Sequence, residues 1–230
     1  MTNDEQFLHK LIEKLYEDEH YIVFNKPSGL LVIATPKNEK NTLVNIVNHQ
    51  YTSKEGRGYL HPCHRLDRET SGVILFAKGK HNQQIMMEIF KKHDIKKYYI
   101  AFVYGMMRKL QGELRSFIRD FDQQKFQKKA PSKLAITRYK VLETKKNYSV
   151  VEVQPVTGRT NQIRIQFGQI GHPLVGERKY ALARDYALRF RRAALHAHTL
   201  ELTHPVTHKK MMITSKLPND MEVFLARNRN

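Results

Sequence analysis

A chain of 230 residues can bury one catalytic-size core, with room for a minor lobe. Its 40 lysines and arginines against 22 aspartates and glutamates give a net charge of +18, which favours nucleic acid over a membrane surface because no strongly basic amphipathic helix is present. No stretch approaches membrane-spanning length, the N-terminus has no apolar signal core, and the single cysteine, Cys63, excludes an intrachain disulfide, so a cytoplasmic protein is expected.

In chain order, Phe7, Leu8, Leu11, Ile12 and Leu15 fall at helical spacing and predict an amphipathic helix over residues 4 to 18, within an N-terminal segment 1–20. YIVF, NKPSG and LLVI read as strand, turn and strand, and NTLVNIVNHQY as a helix capped by its Asn. TSKEGRGYLHP is a glycine-bearing loop, VILFAK a strand, residues 80 to 92 a helix with Ile85, Ile89 and Phe90 inward, and YYIAFVYG a further strand. After Gly105 the pattern is mostly β: LRSFI, AITRYKVLET, YSVVEVQPV, LHAHTLELTHP and KKMMITSK read as strands. KFQKKAPSK is an exposed basic connection, TNQIRIQFGQIG has weak helical spacing, and NDMEVFLARN closes with a capped helix. The mixed order predicts an α+β fold with a largely antiparallel sheet flanked by helices. Basic residues recur in KKHDIKKYY, RDYALRFRR and THKK instead of forming one tail.

The stretch HPCHRLDRETSGVILFAK, residues 61 to 78, sets Asp67 between Arg65 and Arg68 at the threshold of an apolar strand. A carboxylate there either caps the TSG turn or does chemistry. A zinc site built from His61, Cys63, His64, His196 and His198 matches no finger or hydrolase signature, and HAH in a strand more simply sets two imidazoles on one sheet face. Cys63 and His64 are neighbours in extended chain and point apart, so Cys63 reads as a buried free thiol. Two-metal nuclease chemistry wants converging carboxylates, and near Asp67 the acidic neighbour is Glu69 alone. No GxxxxGK[ST] phosphate loop occurs, and neither a metal nor a nucleotide cofactor is called for.

HRLDRETSGVILFAK resembles the central motif of the RluA-type pseudouridine synthases. NKPSGLLV at 25 to 32, KYYIAFVYG at 97 to 105, GRTNQIRIQF at 158 to 167, and GHPLVGERKYA followed by LHAHTLELTHP resemble the family's other motifs, in family order. The resemblance implies a single catalytic domain over residues 21–230 that isomerises uridine to pseudouridine in structured RNA, ribosomal or transfer, without cofactor or metal. It implies that Asp67 is the catalytic aspartate, that Tyr99 packs on the base, and that Arg164 is the basic partner of the aspartate. Arg65 would help hold the target nucleotide out of the helix, and Asn25, Lys26, Thr160 and Gln162 fall in the motifs that would bind substrate. Asn161 stands where a histidine is usual, and Glu177 where aspartate is frequent.

The residue types suit that chemistry. An ionised carboxylate can attack or deprotonate sugar or base, and in a dry pocket it needs a fixed cation to stay ionised. Barely twenty residues precede YIVFNKP, so no N-terminal RNA-binding domain of the S4 kind is expected, and a monomer is the expected state. The alternative from another class is a non-catalytic RNA-binding or ribosome-assembly protein, for which the charge is equally suited.

Overall fold

A computed structural model describes residues 11–51, 58–92, 94–119, 131–181 and 188–229. Among the described residues, in chain order, are β1 (Lys14–Glu17), β2 (Tyr21–Lys26), α1 (Leu43–Tyr51), β3 (Leu60–Pro62), β4 (Ser71–Lys78), α2 (Lys80–Lys91), β5 (Lys96–Tyr104), β6 (Gln111–Ile118) and β7 (Lys133–Thr144). They continue with β8 (Tyr148–Pro155), α3 (Gln162–Gln169), β9 (Leu195–Thr203), β10 (Lys210–Thr214) and α4 (Asn219–Arg227). The elements fall into two compact units, residues 1–96 with 197–218 and residues 97–196 with 219–230. The class is the expected α+β, and the strand pairings described below are antiparallel.

In the first unit β2 pairs with both β1 and β4, β3 also pairs with β4, and β10 pairs with β9. The strand β4 is SGVILFAK, an apolar run buried on both faces, as a strand covered on both sides must be. Val73, Leu75 and Ala77 pack with Tyr21 and Val23 of β2, Met86 of α2, and Leu200 and Leu202 of β9. On the other face Phe24 meets Phe76 edge-on at 5.5 Å and Tyr51 of α1 at 5.1 Å.

Two expectations fail here. Residues 14–17 form β1, not part of a helix over 4 to 18, and residues 1–10 lie outside the described residues. Leu11 is 68% exposed while Ile12 is buried, so these two do not lie on one buried helical face. The backbone of 14–17 is instead taken up by pairing with buried β2, and the Asp18 carboxylate accepts the N–H groups of His20 and Tyr21 to make the turn between them. A local helical pattern loses to a ladder of tertiary hydrogen bonds.

LLVI is likewise no strand beyond an isolated bridge from Leu31 to Thr42. The carbonyls of Leu31 and Val32 accept the N–H groups of Leu43 and Val44, two of the donors that the start of α1 leaves unsatisfied. Thr42, not Asn41, stands immediately before α1, and its hydroxyl faces the N–H of Asn45.

In the second unit the pairing runs β5 to β8 to β7 to β6, with a bulge between Val141 and Glu143. The basic connection expected between β6 and β7 lies mostly outside the described residues. Phe167 of α3 packs edge-on against Tyr139 at 5.9 Å. Phe224 of α4 stacks on Phe102 at 5.6 Å and meets Tyr148 and Phe190 edge-on. The amides of Gln162 and Gln166 tie α3 to the β6–β7 pair through Ile136, Thr137 and Ala135. Among the described residues no helix is long and apolar enough to cross a membrane.

Candidate active site

Asp67 lies in the eight-residue connection between β3 and β4. The chain enters it held by Asn48, whose buried amide bonds both the N–H and the carbonyl of Leu60. Cys63 N–H donates to Leu75 O at 3.0 Å and Leu75 N–H donates to His64 Nε2 at 3.1 Å, so the connection starts fastened to β4. Leu66 points inward, Arg65 and Arg68 are exposed, and Asp67 between them is half-buried. The N–H of Thr70 returns to the carbonyl of Asp67 at 3.1 Å and closes a turn.

A second segment holds this turn from outside. Lys26 is fully buried, and its Nζ donates to the carbonyls of Pro27, Leu30 and Arg68 at 2.9, 2.7 and 3.1 Å. Gly29 N–H donates to Arg68 O at 2.8 Å, Arg68 Nε to Gly29 O at 3.0 Å, and Ser28 Oγ to Glu69 O at 2.8 Å. NKPSGL and LDRET are thus laced together by an ammonium, a hydroxyl, a guanidinium and a backbone N–H. At the exit, Gly72 has φ +112°, and a Cβ there would stand 2.1 Å from the carbonyl oxygen of Ala197, so only glycine fits.

The other proposed groups sit in the second unit. Tyr99 is on β5, nearly buried, opposite Val153 of β8. Lys97, two residues earlier, shares its face of the strand, and its Nζ lies near Gly158. Burial holds the Lys97 ammonium below its ordinary pKa.

Arg164 follows from the first turn of α3. Its Nε donates to Glu177 Oε2 at 2.6 Å and Nη2 to Oε1 at 2.9 Å, while Nη1 donates to Asn161 Oδ1 at 2.8 Å. Glu177 is delivered by a segment tied to β5, in which Val175 N–H donates to Phe102 O and Tyr104 N–H to Pro173 O. Burial would raise the Glu177 pKa, but the Arg164 hydrogen bonds and charge, with the N–H groups of Lys179 and Tyr180, outweigh it and hold the carboxyl below its usual range.

The remaining expected residues are placed as follows. Asn25 is fastened to Glu13 through its side-chain amide and its N–H. Thr160 is half-buried just before α3. Gln162 is buried, its Nε2 spent on Ile136 and Thr137 and its Oε1 accepting from Thr157 and Arg159. Lys26 and Gln162 therefore have their polar ends turned into the fold, and any effect on substrate passes through the loops they hold.

Cys63 is a buried free thiol, as expected, with burial pushing its pKa to about 12. Among the described residues no group of three His, Cys, Asp or Glu side chains is placed to hold a metal ion. The sequence reading gave no role to Lys97 or Tyr180. The i to i+3 spacing of Asn161 and Arg164 on a helix start could have suggested their contact. Nothing local announces Glu177, which is 13 residues from its partner.

Comparisons with known proteins bear on the family and the fold. A family model described as RNA pseudouridylate synthase matches residues 20–169. The chain is 34% identical over 213 residues to the dual-specificity RNA pseudouridine synthase RluA of Haemophilus influenzae, covering 91% of this chain and 94% of that protein. It is 33% identical over 227 residues to the ribosomal large subunit pseudouridine synthase D of Zymomonas mobilis, covering 93% and 71%. In fold it is similar to human RNA pseudouridylate synthase domain containing 4, with a TM-score of 0.76, 24% identity, and coverage of 94% of this chain and 93% of that one.

Proposed function

We propose a function from one premise: the chain belongs to the RNA pseudouridylate synthase family. It isomerises uridine to pseudouridine in RNA. The N1–C1′ bond of the nucleotide breaks, the uracil turns, a C5–C1′ bond forms, the C5 proton leaves to solvent, and N1 takes up one proton in its place. Atoms and oxidation states balance without a cofactor. The observation that carries the reading is the Asp67 connection, a half-buried carboxylate on a turn laced to a second segment through buried Lys26. A turn cap alone needs no such bracing, whereas a reacting group must be held in place.

Asp67 attacks or deprotonates the nucleotide, Tyr99 packs on its base, and Arg164 supplies hydrogen-bond donors to the reaction. Arg65, exposed beside Asp67, contacts the RNA around the target, and Asn25 and Thr160 contribute from their loops. Lys26 and Gln162 serve by shaping those loops. The substrate is structured RNA, and ribosomal RNA is favoured because the Zymomonas relative is named for the large ribosomal subunit. A short stem-loop is the cheapest place to extrude a base. The protein acts as a cytoplasmic monomer.

Tritium release from RNA labelled at uridine C5 tests the activity. Mapping pseudouridines with and without the gene, then restoring each lost site with purified protein, identifies the target. No release from any cellular RNA fraction would leave an RNA-binding protein that has kept the fold.

A further inference from the structure

The surroundings of Arg164 constrain it on three sides. Glu177 takes the Nε–Nη2 edge with two bonds. Asn161 takes Nη1, and its Nδ2 donates to Tyr180 Oη at 3.1 Å. The Tyr180 ring lies over the guanidinium at 5.4 Å. Edge, tip and face are each met by a different side chain, which removes the rotations a long arginine otherwise has. Tyr180 is in turn fixed by its own N–H to Glu177 Oε1 and by the close approach of α3, where a Cβ on Gly168 would stand 2.6 Å from Tyr180 O.

The charges also matter. The Glu177 side chain is fully excluded from solvent, and its carboxylate cancels the arginine at contact distance. A phosphate anchor gains nothing from such a neighbour, because the paired carboxylate repels the same anion. What survives the cancellation is direction: of the guanidinium's five N–H donors, three are used by the clamp and the others have fixed bearings.

We propose that Glu177, Asn161 and Tyr180 are positioning residues for the isomerisation, which set the orientation of the Arg164 guanidinium and so govern the rate of reaction and not RNA affinity. This rests on the catalytic role proposed for Arg164.

The test uses the full-length enzyme, reading single-turnover tritium release with enzyme in excess and RNA binding in parallel. Glu177→Gln and Asn161→Ala should each slow the reaction about tenfold or more while RNA affinity stays within about threefold. Glu177→Asp should recover part of the rate, since charge and two oxygens remain at shorter reach. Tyr180→Phe keeps the ring and loses the hydroxyl, and should fall between wild type and Asn161→Ala. The double variant Glu177→Gln with Asn161→Ala should lose less than the product of the single losses, because both act on one group. Wild-type rates in folded Glu177→Gln and Asn161→Ala beside an impaired Arg164→Lys would overturn the clamp. So would weakened RNA binding with an unchanged single-turnover rate. A wild-type rate in Arg164→Lys would overturn the role of Arg164 itself.

Discussion

Arg164 and Glu177 form a two-bond ion pair, Nε to Oε2 at 2.6 Å and Nη2 to Oε1 at 2.9 Å, with the carboxylate wholly out of solvent. The cation that the sequence assigned to Asp67 is thus committed along one edge to an acid that the sequence marked only as an unusual residue.

The first prediction follows from that pair. Arg164→Met leaves the Glu177 charge buried and should cost about 3 kcal/mol or more of stability. Adding Glu177→Gln should restore part of it, because the uncompensated charge is gone. The pH dependence should reverse as well. In the wild type the Glu177 pKa is depressed, so its contribution is present above the ordinary carboxylate pKa and lost as pH falls through the depressed value. In Arg164→Met the same carboxyl has a raised pKa and is destabilising at neutral pH, so that variant should gain stability relative to wild type as it is acidified. Thermal melts between neutral pH and the onset of acid unfolding check this. Parallel pH profiles for the two proteins would show that the pair is not coupled.

Lys26→Met tests the bracing of the turn that carries Asp67. Three carbonyls lose a charged donor, at a cost on the order of 3 kcal/mol. Amide exchange at Gly29 and Thr70 should quicken, and tritium release should fall more than RNA affinity does. Unchanged exchange at both amides would detach Lys26 from the geometry of Asp67.

Gly72→Ala should be worse than either. The added Cβ meets the Ala197 backbone in a conformation L-residues rarely adopt, and neither side has a flexible end to yield. Loss of soluble folded protein at 37 °C is expected. A normally folded variant would contradict the close approach of these two segments.

Asp67→Asn should abolish isomerisation while RNA affinity stays within about tenfold, since the amide keeps the shape and loses the ionised oxygen. The melting curve should be nearly unchanged. A collapse in stability would return Asp67 to the role of a turn cap.

The net charge of +18 predicts steeply salt-dependent RNA binding, with a log–log slope of several units. A flat profile in a titration by filter binding would remove the electrostatic argument for nucleic acid.

Much of the molecule is legible in the sequence because the signals are local. VILFA is apolar throughout and becomes the buried stretch of β4; NTLVNIVNHQY has its helical spacing and becomes α1, with Thr42 in place of the expected Asn cap; HRLDRET lies in the connection where a turn was expected. The motifs that carry the family resemblance are contiguous, so the family could be identified before any coordinates. The misreadings are places where a backbone group found its partner at a distance. Residues 14–17 pair with β2, and the carbonyls of LLVI are taken by α1. Only the tertiary structure decided that Lys26 reaches the carbonyl of Arg68 and that Glu177 closes on Arg164. A side-chain hydrogen bond needs two atoms within about 3 Å. For residues 13 to 42 positions apart, that distance is set by how strands and helices pack, and no local pattern encodes it.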